Sequence, residues 1–574
     1  MPHGEGKAAA GQAEPAHVVT SPGSGLGGPA AGAPPTAPGA LLLYDTTLRD
    51  GMQREGLSVS VDEKIRIARR LAELGIHIIE GGFPGSNPKD EEFFQRMQAE
   101  RLAGHTRVAA FGMTRGKGAR AKEDPVLRVL GESWVPVATI VGKTWDLHVR
   151  KVLRVDRTEN LRMIAESVEF LVGRGKEVIY DAEHFFDAYL DDSEYALQCV
   201  RTAAEAGASA VVLCDTNGAC LPVRLGQTVA AVVENLRTAA LGTQVGIHCH
   251  NDSGCAVANT LIGVQKGATH VQGTINGYGE RCGNADLCAI IPALKLKVGV
   301  DCISDENLAR LTETSHFVAE LCNVSPDPHQ PYVGRNAFAH KGGLHIAAVQ
   351  EDRSTFEHIR PEQVGNTPRI LLSELSGRGA IRQRARELGY SLDEQRRLEE
   401  RILRRLKKME HKGYHYEAAD ASFELLMRDE LGVRREFFTL ESFRLIVEKR
   451  EHGEVTTEAT IKIHINGERI IQTAEGNGPV NALDRALRLA IERKFPALQD
   501  IHLVNYSVRI LDEDRGTAAV TRVLLDSSNG AESWGSVGVS DNVVEASWQA
   551  LVDSIDYGLL RADPEGDTGP EADG

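Results

Sequence analysis

The feature that most constrains the fold of this 574-residue chain is an alternation of short β-branched segments with amphipathic segments between residues 41 and 299. Eight of the short segments have the length and composition of buried strands. They are Leu41–Asp45, His77–Gly81, Arg107–Gly112, Val135–Val141, Glu177–Asp181, Ala210–Cys214, Val245–His250 and His270–Ile275. Eight such units in about 260 residues predict a parallel (β/α)8 barrel of the TIM type, in the α/β class.

The segments between the predicted strands carry apolar residues at helical spacing, as in Val61–Leu74 and Thr158–Val172. An open, doubly wound sheet is the alternative architecture. It is disfavoured because no glycine-rich dinucleotide fingerprint follows the first strand. In a barrel, the reactive groups lie at the carboxyl ends of the strands.

The remainder of the chain divides by composition. Residues 1–40 are rich in Gly, Pro and Ala and are predicted to be a disordered leader, because they cannot bury enough apolar surface to offset the entropy of ordering. Residues 41–300 form the predicted catalytic barrel. The regular recurrence of β-branched segments stops in residues 301–433, which we expect to form helical linker subdomains. The acidic tail, residues 562–574, is also predicted to be disordered.

A pattern that runs twice marks residues 434–561. An alternating apolar segment with an Asn-Gly turn precedes a helix in each half, at Asn466-Gly467 and again at Asn529-Gly530. This predicts a duplicated α+β domain. Because no obvious catalytic groups lie in it, we expect it to serve regulation or dimerisation.

Charge and cysteine content exclude several classes of partner. The formal net charge of −16 at pH 7 repels phosphate backbones and anionic lipid, so we expect neither nucleic acid nor a membrane surface as a partner. No apolar segment approaches the roughly 20 residues of a membrane span. The nine cysteines form no CxxC pair and are predicted to be reduced, mostly buried thiols. We therefore expect a cytoplasmic protein.

The motif His248-Cys249-His250 ends the seventh predicted strand. Side chains two positions apart on a strand project to the same side, so His248 and His250 point together and Cys249 faces away. Two imidazoles on one face can hold a divalent metal. Taken alone, the pattern favours ordinary surface or core histidines over metal ligands.

Two further strand ends bring other groups to the same mouth of the predicted barrel. The segment DTTLRDGMQ after the first strand contains Arg49, Asp50 and Gln53, and the glycine-rich segment GYGERCGN after the eighth contains Asn284. A carboxylate, two imidazoles and an amide oxygen suit Zn, Mn or Mg and leave coordination positions open. The alternative role for Asp50 is that of a helix N-cap. In that role Asp50 would face solvent and would have no histidines as neighbours.

These segments also carry a resemblance. DTTLRDGMQ, HCHND and GYGERCGN together resemble the acyl-CoA-dependent 2-oxo acid condensing enzymes, which are the isopropylmalate, homocitrate and citramalate synthases. EGGFPGSNPKD, GKTWDLHV and EVIYDAEHFFDAY resemble the citramalate branch. The similarity continues through FAHKGGLHIAAV into the duplicated domain and covers about residues 41–560.

The resemblance implies roles for particular residues. The metal ligands of the family fall on Asp50, His248, His250 and Asn284. The catalytic residues fall on Arg49, Glu183 and His345. The expected substrate-binding residues are Arg49, Thr216 and the nearby amide Gln53. Asp181 departs from the family pattern, since related branches have other residue types two positions before the glutamate, and this bears on which oxo acid is accepted.

Each of three carried-over residues has an ordinary structural alternative. Glu183 could be a salt-bridging carboxylate, Thr216 could cap the next helix, and His345 could be an ordinary loop histidine.

The resemblance implies an acyltransferase that condenses acetyl-CoA with pyruvate, hydrolyses the thioester and yields (R)-citramalate and CoA in isoleucine biosynthesis. It also implies a divalent metal (Mn, Mg or Zn), a homodimer and feedback control by an amino acid, with isoleucine expected. One alternative is a 2-isopropylmalate synthase that accepts the larger 2-oxoisovalerate. The alternative from another class is a non-catalytic, amino-acid-binding regulator.

Overall fold

A computed structural model describes residues 41–341, 343–370, 378–387, 389–392, 395–449, 451, 453, 455–511 and 518–563. The predicted leader, residues 1–40, and residues 564–574 of the predicted acidic tail lie outside the described residues. The chain divides into two compact units. The first contains the described residues up to Glu55, then Ile76–Ile290 and Val298–Cys302, and the second contains Gly56–Gly75, Ile291–Lys297 and the chain from Ile303 onward.

The first unit contains a closed barrel of eight parallel strands, which confirms the predicted TIM-barrel architecture. The strands are β1 (Leu42–Asp45), β2 (Ile78–Glu80), β3 (Arg107–Met113), β4 (Val137–Lys143), β5 (Glu177–Glu183), β6 (Ala210–Asp215), β7 (Gln244–Cys249) and β8 (His270–Gly273). Strand β1 pairs with β2 on one side and with β8 on the other, so the sheet has no edge and the open-sheet alternative is wrong.

The barrel interior is filled by inward-facing side chains from alternate strand positions, as expected for this fold. One buried cluster joins eight of them: Tyr44, Ile78, Ala109, Val137, Ile179, Ala210, Val212 and Cys214. All nine cysteines of the chain are free thiols, and only Cys255 and Cys282 are not buried. The prediction that most of the thiols are buried is confirmed.

The helices alternate with the barrel strands along the chain and then continue beyond them. Those up to residue 300 are α1 (Val61–Leu74), α2 (Pro88–Met97), α3 (Pro125–Glu132), α4 (Asp146–His148), α5 (Arg157–Gly173), α6 (Phe185–Asp191), α7 (Ser193–Glu205), α8 (Pro222–Thr238), α9 (Ala256–Gln265) and α10 (Leu287–Ala293). Helix α1 has the predicted bounds. Its N-terminus is held by a capping box between Ser60 and Glu63, and it ends at Gly75, whose left-handed backbone (φ 94°) favours glycine.

The second unit continues with helices, in agreement with the loss of strand rhythm after residue 300. They are α11 (Asp305–Leu308), α12 (Leu311–Leu321), α13 (Gly343–Glu351), α14 (Arg378–Glu387), α15 (Arg396–His411) and α16 (Asp420–Leu431). Between them, β9 (Ala339–His340) and β10 (Arg369–Ile370) form a short parallel pair. Helix α15 buries Ile402 and Leu406 on its apolar face.

The duplicated pattern folds into two three-stranded antiparallel sheets, each followed by a helix. The first contains β11 (Thr439–Lys449), β12 (Val455–Ile465) and β13 (Glu468–Gly476), followed by α17 (Pro479–Ile491). The second contains β14 (His502–Ile510), β15 (Thr521–Ser528) and β16 (Ser533–Ser540), followed by α18 (Val543–Ala562). The strands and helices of both halves contribute to one buried core. None of the described helices combines the length and the apolar character that a membrane span needs.

Candidate active site

Three predicted ligands meet at the carboxyl end of the barrel. Nε2 of His248 lies 3.3 Å from Oδ2 of Asp50, and Nε2 of His250 lies 4.0 Å from the same oxygen. All three side chains are buried. Within the described part of the chain, they are the one group of three or more His, Cys, Asp or Glu residues whose ligand atoms lie within 4.8 Å of one another. The end of β7 and the residue that follows it therefore present both imidazoles to one side, as the spacing predicts.

The opposite face of β7 carries Cys249, whose thiol interacts with the hydroxyl of Thr260 on α9. Asp50 precedes a short 3-10 helix, Gly51–Gln53, but its side chain makes no capping hydrogen bond. The N-cap alternative for Asp50 is therefore wrong.

The fourth predicted ligand, Asn284, lies beside the other three. Its Nδ2 donates to Oδ2 of Asp50 at 2.5 Å, while its Oδ1 is buried and has no hydrogen-bond partner in the described part of the chain. The Asn284 side chain packs closely against the glycine-rich loop, and this contact requires glycine at position 279. A Cβ at Gly279 would collide with Oδ1 of Asn284. A carboxylate, two imidazole nitrogens and an unsatisfied amide oxygen fit a divalent cation bound by mixed nitrogen and oxygen ligands.

The charges around Asp50 favour its ionised form. Burial alone would raise the pKa of Asp50, but Arg49 together with both histidines holds it well below its usual range. Burial opposes charge on His250 and, with the neighbouring His248, lowers its pKa to about 4. A neutral imidazole and an ionised carboxylate are the forms that bind metal.

Arg49 is held beside the ligands by three contacts. Its Nε donates to Oε2 of Glu80 at 2.6 Å, its Nη1 lies 3.2 Å from Oδ1 of Asp50, and its guanidinium carbon lies 4.0 Å from the ring centre of Phe111. Glu80 is fully buried and also accepts from the hydroxyl of Tyr44 at 2.9 Å. The guanidinium is thus fixed in orientation and keeps its charge next to the proposed ligands.

Glu183 and Thr216 lie at the ends of neighbouring strands, β5 and β6. The Glu183 carboxylate forms an ion pair with Lys143 at the end of β4, and both side chains are partly exposed. The salt-bridge alternative therefore describes a contact that Glu183 does make. The Thr216 hydroxyl accepts from the backbone N–H of His184 at 2.8 Å, whereas α8 begins only at Pro222, so Thr216 is not its cap.

Two other predicted site residues are exposed. The side chain of Gln53 is exposed at the end of the 3-10 helix. His345 belongs to the second unit, where it is exposed on α13 and stacks on Phe356 with ring centres 4.2 Å apart. It lies on a helix, so the loop-histidine alternative is wrong, and its catalytic role stays a prediction.

Three residues of the site were not predicted from the sequence. Glu80 and Lys143 each end a barrel strand, so the rule that functional groups follow the carboxyl ends of strands could have identified both. Gln272 lies inside β8, and its Oε1 lies 2.8 Å from Nδ1 of His248. No motif marks it, because its contact depends on the pairing of β7 with β8.

Comparisons with known proteins agree with this geometry. Residues 40–318 match the HMGL-like family, residues 332–414 the homocitrate synthase post-HMGL domain-like family, and residues 417–559 the LeuA allosteric (dimerisation) domain.

Full-length relatives are also similar. The chain is 50% identical over 522 residues to an (R)-citramalate synthase of Geobacter sulfurreducens, a match that covers 91% of this chain and 98% of that protein. It is 51% identical over 521 residues to an (R)-citramalate synthase of Streptomyces coelicolor, covering 91% and 97%. An (R)-citramalate synthase of Aquifex aeolicus is 48% identical over 527 residues, covering 92% and 99%.

Proposed function

Because this chain belongs to the (R)-citramalate synthase family of condensing acyltransferases, we propose that it condenses acetyl-CoA with pyruvate and hydrolyses the thioester to give (R)-citramalate and CoA. The observation that carries the proposal is the buried group of Asp50, His248 and His250 beside Arg49 at the carboxyl end of the barrel. A non-catalytic regulator has no need of such a group.

Pyruvate would bind at this group. Asp50, His248, His250 and Asn284 would hold a divalent cation, which would supply Lewis-acid polarisation of a bound carbonyl oxygen. Arg49 contributes a fixed positive charge where negative charge develops on the ketone oxygen. Its charge is maintained because burial is outweighed by Glu80 and Asp50, which raise the pKa of Arg49. The resulting local positive charge attracts an anionic substrate to a protein of net charge −16.

The carbon–carbon bond requires a base, since the acetyl methyl group is a weak acid. The base takes a proton from the methyl carbon, this carbon bonds to C2 of pyruvate, and the ketone oxygen becomes an alkoxide that is then protonated. Water subsequently adds to the thioester carbonyl and the C–S bond breaks, which releases the CoA thiol. Glu183 and His345 are the candidate bases, with Lys143 holding the Glu183 carboxylate by an ion pair.

The choice of oxo acid is tested by measuring the release of free CoA with acetyl-CoA and each of three acids. Pyruvate is expected to give the highest kcat/KM. Preference for 2-oxoisovalerate would instead indicate a 2-isopropylmalate synthase, preference for 2-oxoglutarate would indicate a homocitrate-type activity, and no release with any of them would refute the enzyme proposal. Chiral chromatography of the product distinguishes (R)- from (S)-citramalate.

The duplicated domain is proposed to mediate homodimerisation and feedback control by isoleucine. Support comes from the match of residues 417–559 to an allosteric (dimerisation) domain. Among the described residues, strands β11 and β14 each pair on one side only, and β14 exposes Val504, Val508 and Ile510.

Sedimentation of the full chain should give about twice the monomer mass. Titration with isoleucine, leucine and valine should show the strongest inhibition by isoleucine. Inhibition by none of the three would leave dimerisation as the domain's function.

We also propose that the protein is cytoplasmic, because free thiols suit the reducing conditions of that compartment.

A further inference from the structure

We propose that Gln272 is a positioning residue of the metal centre, which holds His248 in the tautomer that presents Nε2 to a divalent cation. The inference rests on the metal site proposed above. Gln272 on β8 lies directly opposite His248 on β7 in the parallel register. Both side chains are buried in the barrel, so water does not compete for their contact.

The contact between the two residues specifies where the imidazole hydrogen lies. Oε1 of Gln272 lies 2.8 Å from Nδ1 of His248. A carbonyl oxygen only accepts hydrogen bonds, so Nδ1 must carry the hydrogen. In the neutral ring, the form that binds metal, the lone pair then lies on Nε2, the atom that faces Oδ2 of Asp50 at 3.3 Å within the proposed ligand group.

The orientation of the Gln272 amide follows from its other neighbours. Its Nε2 lies 3.1 Å from Oδ1 of Asp181 and 3.4 Å from Nε2 of His270. Against an ionised Asp181, exchange of the amide oxygen and nitrogen would place two acceptor oxygens next to each other, so the hydrogen-bond network assigns the nitrogen to that side. His270 is fully buried, and burial lowers its pKa to about 3, so its ring is neutral and can accept from the amide. These contacts turn the carbonyl oxygen toward His248.

The two histidines of the group are therefore held in different ways. Nδ1 of His250 is buried and has no hydrogen-bond partner among the described residues, whereas Nδ1 of His248 has Gln272. Groups that orient a metal-binding histidine through its second nitrogen typically change metal affinity by 10- to 100-fold when they are removed. The geometry thus assigns to Gln272 an effect on metal affinity that no motif of the chain indicates.

The test compares metal binding and folding in the full-length protein. Gln272→Met keeps a side chain of similar length but replaces the carbonyl oxygen with a thioether sulfur, which is only a weak acceptor. Gln272→Asn withdraws the carbonyl by one methylene. Isothermal titration with Mn²⁺ should show an affinity about 10- to 100-fold below that of the unmodified chain for both variants. The visible absorption of bound Co²⁺ should also change, since the His248 ring is no longer held in one orientation.

A matched control separates positioning from general loss of stability. Ser167→Ala removes a buried hydroxyl that accepts from the backbone N–H of Arg115 at 2.9 Å, away from the ligands. It should lower the melting temperature but leave the Mn²⁺ affinity and the Co²⁺ spectrum unchanged.

The inference is overturned if Gln272→Met folds and binds Mn²⁺ as tightly as the unmodified chain. If that variant does not fold, the same comparison with Gln272→Asn decides the question. Failure of the metal proposal looks different, because the unmodified chain would then bind no Mn²⁺. Failure of the substrate proposal is distinct again: metal would bind and depend on Gln272, but acetyl-CoA and pyruvate would give no citramalate.

Discussion

Nε of Arg49 lies 2.6 Å from Oε2 of Glu80, a carboxylate at the end of β2 that has no exposed surface. This ion pair connects the segment that follows β1 to the end of β2 at the carboxyl end of the barrel. It also orients the guanidinium so that its Nη1 reaches Asp50 at 3.2 Å. The position of one proposed catalytic residue thus depends on a residue to which the sequence analysis assigned no role in the site.

Removal of the Glu80 charge should destabilise the barrel. Glu80→Gln leaves the buried Arg49 charge without its main partner, so we expect the free energy of unfolding to fall by about 3 kcal/mol. Urea denaturation followed by circular dichroism measures the change. Glu205→Gln is the control, since Glu205 pairs with Arg201 on the exposed face of α7 at 2.8 Å, and its loss should cost less than about 1 kcal/mol. Equal effects of the two variants would contradict the prediction.

Replacement of Arg49 by lysine should separate turnover from metal binding. Lysine keeps the positive charge but lacks the planar fork that contacts Glu80 and Asp50 together. We expect kcat for citramalate formation to fall by about 100-fold, with little change in Mn²⁺ affinity. Arg201→Lys on the exposed face of α7 should leave kcat unchanged. Normal turnover of Arg49→Lys would remove Arg49 from the mechanism.

Asp50→Asn tests the metal site directly. The amide cannot supply the anionic oxygen that lies between the two imidazoles, so Mn²⁺ affinity should fall by more than about 100-fold and turnover should be lost with it. Asp252→Asn is the matched control. Asp252 lies two residues after His250, but its Oδ1 accepts a hydrogen bond from Nε of Arg281 at 2.8 Å. Its Mn²⁺ affinity should be retained. Equal binding by Asp50→Asn and the unmodified chain would refute the assignment.

Strand β5 provides an internal comparison for Glu183. Glu183→Gln removes a candidate base at the carboxyl end of the strand, and kcat should fall by about 100-fold or more while metal affinity is retained. Glu177 begins the same strand and pairs with Arg107. Glu177→Gln should affect stability only slightly and leave kcat unchanged. If Glu183→Gln retains full turnover, His345 becomes the remaining candidate.

The stability of the barrel should depend on pH through His270. Burial lowers the pKa of this histidine to about 3, whereas it is near 6.5 in the unfolded chain. Between these values the unfolded state binds the additional proton, so stability is lost as pH falls from about 6.5 toward 3. The loss amounts to about 1.4 kcal/mol per pH unit for one proton.

The contribution of His270 is isolated by comparing urea midpoints between pH 5 and 7, a range above that in which most carboxylates titrate. His270→Gln should show a shallower dependence on pH than the unmodified chain. His329→Gln, at an exposed position, should reproduce the dependence of the unmodified chain. Parallel curves for the unmodified chain and His270→Gln would contradict the prediction.

The strands of the barrel were predictable because buried parallel strands are short, continuous and apolar, and each is followed by a helical pattern. All eight occur within a few residues of their predicted bounds. The duplicated domain was predicted less completely, since β11 and β14 were missed. Both β11 and β14 lie at sheet edges and are mostly exposed. Neither strand therefore has the strict alternation of buried and exposed residues that marks β12.

The sequence by itself determined the barrel and the duplicated domain, because local periodicity suffices for these. Spacing along one strand indicated His248 and His250, and the segments after two other strands, together with the family resemblance, indicated Asp50 and Asn284. Only the tertiary structure identified Glu80 and Gln272 as partners of Arg49 and His248. Those contacts join residues 31 and 24 positions apart. The physical reason is that hydrogen bonds inside a closed barrel depend on the register between neighbouring strands, which a pattern within one strand does not contain.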